Sequence, residues 1–208
     1  MKIPFEVQKL LDRIETEFDH FTGKMRASNG GLPKYQAISK DNLDYSRNVT
    51  EVKRVCTPYW QNMHCLQPKN TIDINDSLSI SPYVYQLAVY LGADIIPLMS
   101  WYDEGGYVCW HHNADVPGRN ILFNWSEKGE GVFKKYNEKS DIITEYEDIK
   151  GWQVKHNLFY GHHDASKYGY SWHSMYTDCN RFSLAFRIND TNWTNDLLEE
   201  FGFSTSNP

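Results

Sequence analysis

The stretch WHSMYTDCNRFSLAFRI, residues 172–188, carries the strongest signal for the fold. It covers most of the predicted strand Ser171–Tyr176 and all of the predicted strand Phe182–Ile188, with a turn between them. Because side chains alternate along a strand, Arg181 and Ser183 share one face, and the apolar residues between and after them share the other. An arginine and a serine at this spacing in an apolar strand are therefore expected to face the interior of a barrel.

The residues before this stretch show the same pattern of short apolar segments separated by predicted turns. Asp103–Gly106 is interpreted as a hairpin turn, after which the chain returns alongside itself. Together with the two strands above, about eight short strands are predicted, which is the pattern of a sandwich or barrel. The earlier predicted strands are Ile95–Tyr102, Tyr107–His112, Ile121–Ser126, Val132–Tyr136, Ile142–Tyr146 and Trp152–Phe159.

Helical patterns flank this β region. Pro4–His20 has apolar residues at helical spacing, and Pro82–Leu91 begins with Ser81 as a predicted N-cap and a proline at its first position. A short terminal helix is predicted at Asp196–Phe201. Tyr35–Ser81 is polar and weakly periodic, so short strands and loops are expected there.

These elements predict a mainly β fold with flanking helices (α+β) in a single domain over residues 1–208. Residues 1–92 are expected to provide helical and irregular support. Residues 93–190 are expected to form the β core that carries the site, and residues 191–208 a short helix and tail.

The composition excludes several classes of function. The chain has 208 residues and a formal net charge of −6, and its densest basic run is Lys134-Lys135, so phosphate-driven binding of nucleic acid is not indicated. The first residues lack the apolar run of a signal peptide, and no segment has the length and apolarity of a transmembrane helix. With four cysteines and no CxxC pair, a cytoplasmic protein with reduced thiols is expected.

Three segments carry residue types suited to a metal and an anion. Trp110–Asp115 reads WHHNAD at the end of a predicted strand, His173 begins another, and Arg181–Ser183 begins the next. A ferrous centre that reacts with dioxygen needs two imidazoles and one carboxylate on one face. A buried carboxylate of a ligand needs a planar cation and a hydroxyl, which an arginine and a serine supply.

The order of these residues resembles the 2-oxoglutarate/iron(II)-dependent dioxygenase superfamily. His173, then Arg181-x-Ser183, then a closing apolar strand is similar to the C-terminal half of that family. His111 at a strand end, followed by the Pro-Gly-Arg of residues 117–119, is similar to the first half. The resemblance covers Ile95–Ile188, and its texture is similar to small, often virus-encoded members.

The resemblance implies a double-stranded β-helix core, a jelly roll of the cupin-like kind. It implies iron(II) and 2-oxoglutarate as cofactors and dioxygen as co-substrate, usually for hydroxylation with release of succinate and carbon dioxide. His111 and His173 are then expected to bind the metal, and Arg181 and Ser183 the far carboxylate of 2-oxoglutarate. Two further candidates, on strands that contact the co-substrate in this family, are Asn124 and Tyr136.

The first motif departs from the family pattern, which is His-x-Asp. Here His111-x-Asn113 stands in its place, with Asp115 two residues on at the same strand parity. Asp115 as the carboxylate ligand is favoured, Asn113 as a neutral ligand is the alternative, and a vacant position that binds chloride, as in the family's halogenases, stays open. A literal His-x-Asp lies in His162–Asp164, but only His173 follows it, so it is interpreted as a decoy or a substrate-side feature in an exposed loop.

Two other functions compete with this one. A cupin-like metal-binding protein would share the barrel and the histidines but would have no use for Arg181-x-Ser183. A catalytically inactive jelly roll with an interaction or structural role would bind no stoichiometric metal. The expected partner is a small-molecule or peptide substrate, with no membrane partner. Because all the proposed ligands come from one contiguous stretch, an oligomer is not required to complete the site.

Overall fold

The computed structural model describes residues 2–22, 26–28, 34–53, 60–65, 72–73, 78, 80–188 and 191–203. The helices are α1 (Phe5–Glu15), α2 (Phe18–Thr22), α3 (Lys34–Ala37), α4 (Lys40–Lys53), α5 (Pro82–Tyr90), α6 (His162–Tyr168) and α7 (Thr191–Glu200). The strands are β1 (Arg26–Ser28), β2 (Trp60–Cys65), β3 (Ile72–Asp73), β4 (Ile95–His111), β5 (Gly118–Ser126), β6 (Gly131–Asn137), β7 (Ile142–Glu147), β8 (Gly151–Phe159), β9 (His173–Thr177) and β10 (Arg181–Ile188).

The strands form one antiparallel path in the order β7-β6-β9-β4-β10-β5-β8. The long strand β4 serves this path twice, because its first half pairs with β10 (Trp101 opposite Phe182) and its second half pairs with β9 (Val108 opposite Met175). Each half of β4 therefore belongs to its own four-stranded layer, one with β10, β5 and β8 and the other with β9, β6 and β7. This is the double-stranded β-helix, or jelly roll, which confirms the predicted fold class.

The predicted hairpin at Asp103–Gly106 is wrong. The chain continues through these residues within β4, and the same strand β2 pairs on both sides of them, with Met63 opposite Tyr102 and Gln61 opposite Tyr107. The register shifts between these pairs, and Gly105 has a φ of 76°, as at a β-bulge. The Gly-rich segment therefore carries β4 from one layer to the other and does not reverse the chain.

Three helical segments also differ from the predictions. The single helix predicted at Pro4–His20 is two helices, α1 and α2, with a turn at residues 16–17. The stretch expected to hold only short strands and loops contains the 14-residue helix α4, whose polar sequence hides the helical period. The segment around His162, expected to be a loop, forms the short helix α6, of which Ala165 is buried.

The predicted strands from Ile121 onward are confirmed, with changes of a few residues at their ends. The helix at Pro82 is confirmed together with its cap, because the Ser81 hydroxyl accepts hydrogen bonds from the backbone N–H groups of Tyr83 and Val84. The terminal helix is also present, as α7.

The main core lies between the helices and the outer face of the β4-β10-β5-β8 layer. The ring of Phe18 in α2 lies 5.4 Å from that of Trp101 and 5.0 Å from that of Trp125, and Phe182 packs beside them. Residues of α1, α5 and α7 complete this cluster. Because the helices cover only the outer face of this layer, its inner face is free to line a cavity. No helix among the described residues is both long and apolar enough to cross a lipid bilayer.

Candidate metal and anion site in the barrel cavity

A cavity of about 310 Å³ lies between the two layers of the barrel. This volume is at the lower end of the range for small-molecule sites. The lining combines apolar side chains with a small set of polar ones. The polar and charged residues that line it are His111, His112, Asn113, Asp115, Asn120, Asn157, His173, Arg181 and Ser183, beside the partly polar Tyr102.

Two predicted metal ligands meet in this cavity. His111 ends β4 and His173 begins β9, and the two residues are opposite each other in the antiparallel register, with ring centroids 4.1 Å apart. Each ring is oriented by a backbone carbonyl two residues before it. The Nδ1 atom of His111 lies 2.8 Å from the oxygen of Cys109, and that of His173 lies 2.8 Å from the oxygen of Ser171.

These hydrogen bonds determine the tautomers. A carbonyl oxygen only accepts, so Nδ1 carries the proton in both rings, and Nε2 of each neutral ring keeps its lone pair. Burial lowers the pKa of His111 and lowers that of His173 well below its usual value, the latter helped by the neighbouring His111. Both imidazoles are therefore neutral near pH 7, which is the form that binds a metal.

The two candidates for the third ligand take different positions. The Asn113 side chain lies beside the pair, with Nδ2 3.4 Å from Nε2 of His173. The Asp115 side chain is 77% exposed and accepts a hydrogen bond of 3.0 Å from Nε2 of His162. Within the described part of the chain, no three His, Cys, Asp or Glu side chains are grouped so that they could hold a metal.

The site therefore fits a metal ion that is bound by two imidazoles and completes its coordination with a bound ligand, water or a nearby oxygen atom of the protein. Two neutral imidazoles that present Nε2 lone pairs suit iron and other first-row metals, although the Asn113 amide must release its long contact with Nε2 of His173 first. A half-turn of the Asn113 amide would exchange Nδ2 for Oδ1 and place an oxygen donor beside His173. Asp115 would have to leave His162 before it could do the same.

Arg181 and Ser183 line the same cavity from the beginning of strand β10, where both are almost completely buried. The Arg181 guanidinium donates through Nη1 to the hydroxyl of Ser183, which in turn donates to Oδ1 of Asn124 at 2.9 Å. Asn124 stands opposite Ser183 on β5. The candidate Asn124 is thus joined to the arginine through one hydroxyl.

A carboxylate that the sequence did not single out holds this arginine from behind. Asp148, which follows β7, accepts from Nε of Arg181 at 2.8 Å and from Nζ of Lys155 at 3.0 Å. Nε2 of Gln153 also donates to it, at 2.7 Å. The side chain of Asp148 is fully buried, and that of Arg181 is 2% exposed.

The charges of this cluster influence each other. Burial alone would raise the pKa of Asp148, but Arg181 and Lys155 outweigh it and lower that pKa to about 2. Burial lowers the pKa of Lys155 to about 8, against the opposing effect of Asp148. At neutral pH the cluster holds two cations and one anion, so one positive charge remains for a ligand.

Other residues named from the sequence lie outside the cavity lining. Tyr136 packs with Trp110 and Trp172, and its hydroxyl donates to Asp141 at 2.7 Å. Arg187, on the same strand as Arg181, also lies outside the lining and forms an ion pair with Asp94. His162 lies at the rim, where its Nδ1 is 3.1 Å from the hydroxyl oxygen of Tyr170 and its Nε2 donates a hydrogen bond to Asp115.

Asp148, Lys155, Asn120 and Asn157 are the polar residues of this region that sequence reasoning missed. A signal was present for three of them, because Lys155 and Asn157 share the strand parity opposite to that of the apolar Val154 and Leu158, and Asn120 immediately precedes another predicted strand. Asp148 lies in a loop, where an acidic residue is ordinary, and so it gave no signal.

No family model matches the chain, and no curated protein sequence matches it either. Among similar solved structures, a prolyl-4-hydroxylase from Pseudomonas putida is 13% identical with a TM-score of 0.34, over 91% of this chain and 97% of that one. An oxalate oxidase is 10% identical with a TM-score of 0.30, over 64% of this chain and 67% of that one. Peruvianin-I, a cysteine peptidase from Thevetia peruviana latex, is 14% identical with a TM-score of 0.31 over 44% of this chain, which spans about half (49%) of its length. Similarity at this level gives no information about function, so a function for this chain has to be argued from its own residues.

Proposed function

We propose that this protein is an iron(II)- and 2-oxoglutarate-dependent oxygenase that hydroxylates a substrate with release of succinate and carbon dioxide. One observation carries the proposal: a single cavity is lined by two neutral imidazoles, His111 and His173, and by the buried pair Arg181 and Ser183. 2-Oxoglutarate has a keto-acid end that chelates a metal and a far carboxylate that needs a cation. The cavity offers a partner for each end.

In this proposal, His111 and His173 hold the metal through Nε2, and the carbonyl oxygens of Cys109 and Ser171 keep their rings oriented. The third donor is Asn113 after a half-turn of its amide, or Asp115 after release from His162. When bound, the iron and 2-oxoglutarate supply the activation of dioxygen.

The remaining residues of the cavity bind the co-substrate and exclude water. Arg181 and Ser183 bind the far carboxylate, and Asp148 positions the guanidinium by accepting from its Nε. Apolar side chains from both layers, including Leu98 and Met175, keep water from the rest of the cavity. A dry cavity strengthens the ionic contact and protects the reacting centre from side reactions.

Anaerobic calorimetry with manganese in place of iron tests the proposal. Wild-type protein should bind 2-oxoglutarate only after the metal. Arg181→Lys keeps the charge but loses the planar fork, so we expect a loss of roughly 1–3 kcal/mol in 2-oxoglutarate binding, with a larger loss for Arg181→Ala and a smaller one for Ser183→Ala. Metal binding should survive in all three variants. Arg187→Ala, which removes an arginine from the same strand but outside the cavity, is the matched control.

Unchanged 2-oxoglutarate affinity in Arg181→Ala would contradict the proposal. It would favour the second candidate, a cupin-like metal-binding protein that does not use 2-oxoglutarate. The observation that favours this second candidate is that, in the part of the chain that the structure describes, no carboxylate joins the two histidines. The cupin-like protein would bind the metal but would show no heat of binding when 2-oxoglutarate is titrated into it.

A further inference from the structure

We propose that Asn120 and Asn157 form a substrate subsite that recognises an uncharged carboxamide group beside the two histidines. A reaction at this carboxamide would rest on the proposed function above, whereas binding of the carboxamide does not. The amide belongs either to a free small molecule or to an asparagine or glutamine side chain of a peptide, and the chemistry of recognition is the same in both.

The two asparagines form a cross-strand pair. Asn120 on β5 and Asn157 on β8 are opposite each other in the antiparallel register, and both line the cavity. Their exposed fractions are 3% and 7%, so neither is an ordinary surface asparagine. Side chains directly opposite on one face of a sheet lie close enough to bind one ligand group together.

The hydrogen-bonding capacity of this pair is mostly unused. The side chain of Asn157 has no hydrogen-bond partner among the described residues, and that of Asn120 donates once, from Nδ2 to the oxygen of Gly118 at 3.2 Å. Most buried polar side chains in proteins are hydrogen-bonded, so an unpaired amide in the wall of a cavity points to a ligand or ordered water in that cavity.

The two asparagines lie near the histidines and away from Arg181 and Ser183, the residues proposed to bind the far carboxylate of 2-oxoglutarate. Phe159 is two residues after Asn157 on the same face of β8, about 6–7 Å along the strand, and its ring lies 5.1 Å from that of His173. Asn124, which contacts Ser183, is four residues from Asn120 on β5, about 13 Å along the strand. The asparagines therefore belong to the end of the cavity where a substrate would meet the metal.

The charge of the lining selects an uncharged group. Of the cavity-lining residues that the structure describes, Arg181 and the rim residue Asp115 are the ones that carry charge at neutral pH, and the first already holds the co-substrate in the proposed function. A charged substrate group at the asparagines would lose its water, and the buried cations of this layer, Arg181 and Lys155, are already paired with Asp148. A carboxamide offers a donor and an acceptor, and each asparagine offers the complementary pair.

Ligand-observed NMR tests the proposal with two matched pairs of probes. The first pair is propanamide and propanoate, and the second is a capped pentapeptide of alanines with a central glutamine or glutamate. The protein is used without added metal, because a carboxylate probe could otherwise coordinate the metal and give a signal of its own. We expect saturation transfer to one or both amide probes and none to the acids. Whichever amide responds identifies the source, a free small molecule or a peptide side chain.

The amide signal should fall roughly five- to tenfold in Asn157→Leu, as expected for the loss of one or two hydrogen bonds. Asn157→Ser, which stays polar and is easier to accommodate, should show the same loss. Asn195→Leu, an exposed asparagine on α7, is the control and should bind as wild type. Equal signals from acids and amides, no signal from either amide, or an unchanged signal in both Asn157 variants would overturn the proposal.

A parallel anaerobic titration of 2-oxoglutarate into the manganese-loaded protein separates this proposal from the proposed function. If wild-type protein binds the amides but not 2-oxoglutarate, the amide subsite stands and the oxygenase proposal fails. If 2-oxoglutarate affinity falls at least fivefold in Asn157→Ser while amide binding does not change, the asparagines belong to the co-substrate, and the amide subsite is overturned.

Discussion

At the scale of single residues, the two histidines that we propose as metal ligands share the same arrangement. Each donates from Nδ1 to the carbonyl oxygen two residues before it, which locks the ring and leaves Nε2 to coordinate. Both acceptors are backbone carbonyl oxygens, not side-chain atoms. The orientation of both rings therefore depends on the backbone at the strand ends, and substitution of neighbouring side chains should leave it unchanged.

We expect His173→Ala to abolish metal binding in the cavity, because one of two imidazoles is lost and a labile divalent ion loses several kcal/mol of binding, on the order of a buried charged contact. Metal content after dialysis against manganese, measured with calorimetry of the same samples, checks this. His163→Ala removes an exposed histidine outside the cavity lining and serves as the control. Near-normal metal content in His173→Ala would refute the assignment.

Asp148 gives a prediction on pH. Its carboxyl takes up a proton near pH 3.8 in the unfolded chain but only near pH 2 in the folded protein, because Arg181 and Lys155 outweigh the effect of burial. Between these values the unfolded state binds more protons, so stability falls as the pH falls. We expect about 2 kcal/mol of the free energy of unfolding to depend on this group and to be lost between pH 5 and pH 2.

Urea unfolding at several pH values, in wild-type protein and in Asp148→Asn, measures this contribution. The variant should be less stable at pH 5, because two buried cations lose their counter-charge, and its stability should depend less on pH in the acid range. Parallel pH profiles for the two proteins would show that Asp148 does not titrate as expected.

At the scale of elements, the bend in β4 connects the two ends of the site. The first half of β4 pairs with the strand that carries Arg181, and the second half ends at His111. The bulge with Gly105 lets one strand serve both layers. Strand β6 adds a further constraint on the anion end, because Gly131 at its start packs directly against Asp148.

We expect Gly131→Ala to disturb this end of the cavity. A Cβ at residue 131 would lie 2.5 Å from Oδ2 of Asp148 and 3.2 Å from the backbone oxygen of Tyr176, so the carboxylate that holds Arg181 must move. The free energy of unfolding should fall by about 1–3 kcal/mol, the usual cost of overpacking, and 2-oxoglutarate should bind more weakly. Urea unfolding and anaerobic calorimetry measure the two effects.

Gly161→Ala is the control for this change, since its Cβ would meet Pro117 at an ordinary 3.6 Å. If Gly131→Ala lowers stability but leaves the affinity for 2-oxoglutarate intact, then Asp148 does not position the arginine.

At the scale of the whole molecule, the helices and the site use opposite faces of one layer. The helices α1, α2, α5 and α7 bury the outer face of the β4-β10-β5-β8 layer, while its inner face lines the cavity together with β9 and β6. The residues proposed to hold the metal and the co-substrate all come from this one chain. A second copy is therefore not needed to supply any of them.

We expect that mixing two inactive variants, His111→Ala and Arg181→Ala, does not restore 2-oxoglutarate turnover, measured as succinate release. In the proposed function each copy of the chain holds its own metal and its own co-substrate, so neither variant should repair the other. Recovery of a substantial fraction of wild-type activity would show that the site is shared between copies.

The jelly-roll class was implied by the family resemblance, whereas the sequence pattern by itself determined a β-rich fold, most of its strands and the positions of His111, His173, Arg181 and Ser183 on them. These follow from local pattern, because strand alternation and turn residues act over a few neighbouring positions. The same locality explains the error at Asp103–Gly106, since a bulge and a hairpin use the same turn residues and only pairing with β2, β9 and β10 distinguishes them.

Only the tertiary structure decided which polar groups meet. It turned Asp115 outward to His162 and left Asn113 beside His173. It also joined Asp148 to Arg181, 33 residues away, and set Asn120 opposite Asn157. Such contacts depend on strand register and on loops that cross the sheet, and a shift of one residue would reverse the face of every side chain. A run of neighbouring residues does not say which distant strands pair or where a loop comes to lie, so the donors around the two histidines and the partner of the arginine are known only from the folded chain.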